Sequence, residues 1–252
     1  MKIVVIGGTG LIGSRVVTEL RRQGHDVLSA SPASGIDILT GAGLADALTG
    51  ADVIVDVANS PSFEDAPALD FFTRAGENLL AAGRAAGVSH YVALSVVGTD
   101  RLQDSGYFRA KLAQEKLIRD GGIPFTIVRA TQFFEFVSRI ADSATQGGSV
   151  RITSAASRPM AADDVATAVA GVAVSAPADA IIEVCGPELI GLDELVSLQL
   201  RATDDDREVV TDRAAPYFGV VLEETTLVAG AEATVFRTRF ADWLADFAPV
   251  HR

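Results

Sequence analysis

Lys2-Ile3-Val4-Val5-Ile6-Gly7-Gly8-Thr9-Gly10-Leu11-Ile12-Gly13 is the stretch from which the rest of the chain can be read. A short apolar, β-branched run breaks into glycines, and a helical stretch follows over about Leu11–Gln23. Gly7, Gly10 and Gly13 stand at GxxGxxG spacing, which departs from the commoner GxGxxG of dinucleotide sites. The physical demands are similar. One glycine allows the tight exit from the strand, one lets backbone approach a pyrophosphate, and one lets the helix lie close to the sheet. Free N–H groups and the positive end of the helix dipole then face an anion. Sitting between strand and helix, the turn reads as a site for the diphosphate of NAD(P).

Working outward, short apolar runs alternate with helical stretches. Candidate strands are Val27–Ala30, Val53–Val57, Tyr91–Leu94 and Phe125–Val128, with Gly35–Leu39 as a further strand end. Between them lie helical candidates near Leu44–Leu48, Pro67–Ala86 and Ser105–Arg119. This order predicts an α/β fold with a doubly wound parallel sheet, its strands buried on both faces. Further on, Ala162–Ser175 reads as a helix capped at Asp163 or Asp164, Ile181–Val184 as a strand and Leu192–Arg201 as a helix. Asp204–Asp206 reads as a solvated loop. Phe240, Trp243, Leu244 and Phe247 recur at helical spacing and read as a packing face. No linker or repeat interrupts the chain. Residues 1–252 therefore read as one domain, to which approximately 176–252 contribute a small C-terminal substrate lobe.

Composition narrows the classes. At 252 residues, 48% of them hydrophobic, the chain can bury a sizeable core. A net charge of −12 argues against nucleic acid as a partner, because phosphate backbones are held by clustered Lys and Arg. Backbone N–H groups can still hold an anionic cofactor. Cys185 is the single cysteine, which excludes an internal disulfide and fits a reducing cytoplasm. No stretch approaches the length of a membrane helix, and the apolar run Ile3–Ile6 is too short for a signal peptide. A cytoplasmic protein that does not engage the membrane is expected. His25, His90 and His251 are scattered and make no metal set with Cys185; His90 reads as a surface or turn residue.

Tyr107 and Lys111 stand four residues apart, on one face of a predicted helix. A cation beside a phenol favours phenolate, which suits general acid–base chemistry. Ser95 ends a candidate strand at the carboxyl edge of the sheet, where ligands of such folds sit, and could donate to a carbonyl oxygen. The region after the second strand, Ser29–Ser34, holds neither the Asp or Glu that bonds a ribose 2′-OH nor the Arg of NADP sites. With no carboxylate to repel a 2′-phosphate, with hydroxyls such as that of Ser31, and with Arg15 nearby, the balance tilts to NADP, NAD staying open.

Together the glycine turn, Ser95 and the Tyr107/Lys111 pair resemble the short-chain dehydrogenase/reductase superfamily, and most closely its atypical, NmrA-like NAD(P)-binding branch. Ala93–Gly98, Gly106–Glu115, Ile123–Phe133 and Ala162–Ala166 are also similar to that branch, so the resemblance covers most of residues 1–175. It implies a Rossmann fold with Gly7, Thr9, Gly10, Leu11 and Ile12 around the pyrophosphate. Asp37 and Ile38 would lie against the adenine, and Ala58 and Asn59 would line the cofactor. Lys111 would bind the nicotinamide ribose, Tyr107 would donate the proton and Ser95 would orient the carbonyl. Ala130, Thr131 and Phe133 would border nicotinamide and substrate. From the residues themselves, Phe133, Phe134, Phe136 and the C-terminal lobe read as the wall of a pocket, which suggests an apolar or aromatic carbonyl compound or quinone. The family's usual basic residue after the second strand is absent.

Three functions follow from this reading. The first is a reductase passing hydride to a small carbonyl or quinone. The second is a dinucleotide-sensing regulator without turnover. The third is a sugar-nucleotide epimerase or dehydratase, for which the stretch after Ala176 is short. The oligomeric state is not legible in the sequence.

Overall fold

The computed structural model of the chain describes residues 1–247, Phe247 in its backbone only. His251 and the side chain of Phe247 thus lie outside the described residues. In chain order β1 is Lys2–Ile6, α1 Leu11–Arg22, β2 Asp26–Ala30, α2 Leu44–Leu48, β3 Val53–Asp56, α3 Asp65–Ala86, β4 His90–Val96, α4 Gly106–Asp120 and β5 Phe125–Ala130. Then come α5 Val137–Ser143, β6 Thr145–Gln146, β7 Ser149–Ile152, β8 Ala156–Ser157, α6 Ala162–Ala173, β9 Ala180–Cys185, β10 Ile190–Gly191, α7 Leu192–Ala202, β11 Glu208–Thr211, β12 Thr234–Val235 and α8 Phe240–Phe247.

Seven strands form one parallel sheet in the order β12-β9-β5-β4-β3-β1-β2. Registers such as Val4 against Leu28 and against Ile54 put β1 between β2 and β3. The strand order reverses beside β1, so the carboxyl end of β1 opens at the switch point where α/β sheets take their ligands. The α/β, doubly wound Rossmann architecture is as the sequence predicts. Strands β3 and β5 are buried along their whole length, as parallel strands covered on both faces must be.

The chain forms two compact units. The first comprises residues 1–129 and 165–182, the second residues 130–164 and 183–252. In the first, Val4, Ile6, Ile54, Tyr91 and Ile127 from the strands pack with Leu79 and Leu80 of α3 in one apolar cluster. In the second, small sheets β10-β8 and β11-β7-β6 accompany the helices α5, α7 and α8. Phe240 and Leu244 of α8 are buried and Trp243 half-buried, so the aromatic stripe is a packing face in the residues described.

Three local expectations are corrected. Gly35–Leu39 is a turn and not a strand end: Asp37 accepts the N–H of Leu39 at 2.8 Å on its side chain, and its own N–H goes to the Ala42 carbonyl at 3.0 Å. Helix α6 starts at Ala162, so Asp163 and Asp164 fall in its first turn, while Glu135 receives the Ala162 N–H from outside the helix at 3.1 and 3.2 Å. His90 is not a surface residue. It opens β4, is buried, and its Nε2 pairs with Thr126 Oγ1 of β5 at 3.0 Å, because the parallel ladder carries the strand one residue further back.

Candidate functional site

The glycine turn is built by close approach. Gly7 has a φ of +76°, a region that favours glycine, and a Cβ there would sit 3.0 Å from Ala58 Cα. A Cβ on Gly13 would lie 2.1 Å from the Gly7 carbonyl oxygen and 2.7 Å from Gly8 Cα. Helix α1 can therefore leave the turn close to the sheet only with glycine at this position. Gly7 and Gly8 donate to the Ala30 carbonyl at 3.0 and 3.3 Å, and Gly10 donates to Gly7 at 2.9 Å. Gly10 caps α1 and offers no side-chain oxygen, and no acidic residue lies in the first turn. The first-turn N–H groups of the helix thus keep their positive field for an external anion. Thr9 and Gly10 are exposed at this end, Leu11 is half-buried and Ile12 buried. The residues present fit a dinucleotide diphosphate.

Around the turn, Ala58 N–H donates to Asp56 Oδ1 at 3.1 Å, which fixes the loop after β3 against Gly7. Ser31, at the end of β2, is buried with an Oγ that has no hydrogen-bond partner, and its N–H donates to Ser34 Oγ at 2.9 Å. Asp37 is occupied with its own turn: the Leu39 N–H holds its carboxyl below the usual range. Ile38 packs beside the core, its carbonyl held by Asn78 at 2.8 Å, so of the two adenine candidates Ile38 is the apolar surface. Arg15 donates to the Leu11 carbonyl of its own helix at 2.8 Å.

The acid–base candidates come from β4 and α4. The Tyr107 hydroxyl donates to Asn59 Oδ1 at 3.0 Å. Its ring touches Phe63 at 4.8 Å, Phe72 at 6.1 Å and Phe108 at 5.5 Å between centroids. Lys111 is buried on the same helix. Its Nζ donates to the Leu94 carbonyl at 2.9 Å and to Gln114 Oε1 at 2.5 Å, and lies 4.6 Å from the Phe72 ring centre. The sequence expectation of a cation lowering the phenol is not met. Burial pushes the Tyr107 hydroxyl up, while burial brings Lys111 down to about 8 against the opposing charges of Asp56 and Glu115. Burial thus acts on both side chains of the pair, lowering the lysine and raising the phenol.

Ser95 is 3% exposed and its hydroxyl donates to Glu115 Oε1 at 2.6 Å. A serine has one hydroxyl hydrogen, so in this arrangement it faces the protein and not a carbonyl. Glu115 also takes both arms of Arg129, at 2.9 and 2.8 Å, and Arg129 reaches Asp100 at 3.1 Å. Removing one partner of such a buried bidentate pair costs about 3–5 kcal/mol. Sequence reasoning missed this cluster, and also Asp56, Tyr91 and Gln114. Asp56 carried one legible signal, a carboxylate inside the otherwise apolar strand Val53-Ile54-Val55-Asp56.

The second unit holds the remaining candidates. Ala130 and Thr131 are buried, and Thr131 Oγ1 donates to the Arg158 carbonyl at 2.5 Å. Phe134 is 1% exposed between Phe240, at 5.0 Å, and Trp243, at 5.5 Å. It is corrected from pocket wall to core. Phe133 and Phe136 are half-buried and pair at 5.6 Å.

The chain matches the NAD(P)H-binding family over residues 7–176, from inside the glycine turn to just beyond α6. It belongs to that family. Among curated relatives, it is 30% identical over 162 residues to the (4-alkanoyl-5-oxo-2,5-dihydrofuran-3-yl)methyl phosphate reductase of Streptomyces griseus, covering 59% of this chain and 54% of that one. It is 32% identical over 166 residues to the chloroplastic divinyl chlorophyllide a 8-vinyl-reductase of Cucumis sativus, covering 53% and 39%. The chain thus spans about half or less of the length of these relatives. Its fold is shared with the dTDP-glucose 4,6-dehydratase DesIV of Streptomyces venezuelae, solved with NAD bound, at a TM-score of 0.72, 20% identity and coverage of 98% and 95%. No helix among the described residues is long and apolar enough to cross a membrane.

Proposed function

We propose that this chain is an NAD(P)H-dependent oxidoreductase of the atypical, NmrA-like short-chain type, acting on a small apolar or aromatic carbonyl compound or quinone. The observation that carries the reading is the glycine turn, where Gly13 leaves no room for a Cβ at the uncapped start of α1. Membership of the NAD(P)H-binding family and two relatives named as reductases support it. The bound cofactor would supply hydride. The N–H groups of Leu11 and Ile12 and the backbone of Gly7, Thr9 and Gly10 would hold its diphosphate, and Lys111 would hold ribose hydroxyls. The Tyr107 hydroxyl, which donates to Asn59 Oδ1 at 3.0 Å, would turn to a carbonyl oxygen and give it the proton, although burial raises the phenol and so opposes that transfer.

NADP is the proposed cofactor. Ser31 keeps a buried, unpartnered hydroxyl at the end of β2, and no carboxylate in Ser29–Ser34 repels a 2′-phosphate. Fluorescence titration with NADPH and NADH tests the preference, and clearly tighter NADH overturns it. A panel of quinones, aldehydes and ketones then tests turnover. Steady NADPH consumption is expected. Tight binding without turnover favours a second reading, a dinucleotide sensor, for which the inward-facing Ser95 hydroxyl speaks.

A further inference from the structure

Asp56 closes β3 with a carboxylate that is 2% exposed. An isolated ionised carboxylate in such surroundings costs several kcal/mol or more, and an apolar residue of similar volume is often neutral or stabilising there. Its bonding accounts for its presence. Asp56 Oδ2 accepts the Tyr91 hydroxyl at 3.0 Å and Gln114 Nε2 at 2.9 Å. Gln114 turns its other end to Lys111, whose Nζ lies 2.5 Å from Oε1. Asp56 Oδ1 takes the Ala58 N–H at 3.1 Å, and Ala58 is the residue against which Gly7 must have no side chain. One buried carboxylate therefore reaches the diphosphate turn through one oxygen and the α4 lysine through the other.

We propose that Asp56 and Gln114 are positioning residues that orient and charge Lys111 for the cofactor ribose, and that Asp56 couples this lysine to the glycine turn. The proposal rests on the reading of Lys111 as the ribose-binding cation. The ammonium has three donors, of which Gln114 and the Leu94 carbonyl take two, so one hydrogen is left for a ligand. Charged groups face Lys111 from two elements: Asp56 from β3 and Glu115 from α4, the latter neutralised by Arg129 of β5. From α3 it meets the face of Phe72, and Tyr91 of β4 bears on Asp56. Asp56 is thus the carboxylate not already paired with a guanidinium. Burial lowers Lys111 and raises Asp56, and the attraction between them opposes both shifts, so removing the Asp56 carboxylate drives the lysine further towards its neutral form.

The chain has three lysines, Lys2, Lys111 and Lys116, so 13C-labelled lysine gives three side-chain signals to follow against pH, with Lys111→Arg identifying the one of interest. This titration is run without cofactor. In Asp56→Asn the Lys111 midpoint is expected to fall by about one pH unit and NADPH affinity at a pH near the parent midpoint to fall by up to about tenfold. In Gln114→Leu, which removes an acceptor from the ammonium and a donor from Asp56, the midpoint is expected to fall as well. Gln114→Leu carries the test alone if Asp56→Asn does not fold. A Lys111 midpoint that stays where it is in the folded variants overturns the chain of bonds. Lys111→Met binding NADPH as tightly as the parent protein overturns the ribose-binding reading instead, and leaves the NMR result to judge the positioning.

Discussion

Single side chains carry the chemistry, and two of them lead to direct tests. Tyr107 donates its hydroxyl hydrogen to Asn59 Oδ1 at 3.0 Å, which makes it the proton donor of the proposed reaction. Tyr107→Phe is expected to lower turnover of a ketone or aldehyde by about 10²–10⁴-fold, with NADPH affinity unchanged. Full turnover of a confirmed carbonyl substrate would remove Tyr107 from the mechanism. A quinone, able to accept hydride without this proton, should be reduced by the variant. His90 offers a pH test of a different kind. Burial lowers its pKa, so between its folded value and about 6.5 the unfolded chain binds more protons than the folded one. Stability is then lost as pH falls through that window. Urea unfolding between about pH 7 and pH 5 should show a shallower loss in His90→Gln than in the parent protein. Parallel curves would mean that the imidazole titrates alike in the folded and unfolded states.

Among elements, β1, the glycine turn and α1 form the most sharply specified unit. Three glycines solve three different steric problems, and the tightest is at Gly13, whose absent Cβ would collide with the Gly7 carbonyl at 2.1 Å. Neither atom belongs to a flexible side chain, so Gly13→Ala must displace the helix or the turn. Overpacking of this kind costs about 1–3 kcal/mol. The first-turn N–H groups move with the helix, and NADPH affinity is expected to fall at least about tenfold. Gly171, within α6 with open space where a Cβ would be, is the control: Gly171→Ala should gain up to about 1 kcal/mol of stability and leave binding intact. Isothermal titration and thermal melting of both variants decide the matter. Equal effects from the two substitutions would show that close packing at the turn is not what binding needs.

For the molecule as a whole, ligand linkage is the readout. A dinucleotide that binds only folded protein stabilises it by about 2.7 kcal/mol at a hundred times its dissociation constant, a rise of roughly 5–10 °C in Tm for a chain of this size. The protection should appear in hydrogen exchange over residues 1–129 and 165–182, the unit that contains the turn, β3, β4 and α4. No shift with either NADPH or NADH would remove the dinucleotide from the proposed function. The net charge of −12 does not oppose the binding of this anion, because backbone N–H groups and a helix terminus supply the local positive field.

The sequence by itself determined the strand–turn–helix at the start of the chain, the alternation behind the parallel sheet, and the pairing of Tyr107 with Lys111 on one helix. Each of these is local: a run of apolar residues, a glycine spacing or a four-residue offset fixes it within a dozen positions. The tertiary structure alone decided where those side chains point. Tyr107 meets Asn59 across 48 positions, Gln114 meets Asp56 across 58, and Ser95 turns inward to Glu115 across 20. Such pairs depend on how the crossovers bring α4 against β3 and β4, which no periodicity records. The same is true of His90 and Phe134, read as surface and pocket residues and found buried, because strand register and the packing of α8 set their exposure. Burial then reversed one piece of electrostatics. A lysine at helical spacing from a tyrosine suggested a lowered phenol, but desolvation raises the phenol and lowers the lysine, a fall opposed by Asp56, far from it in the chain, and by Glu115 one turn along its own helix.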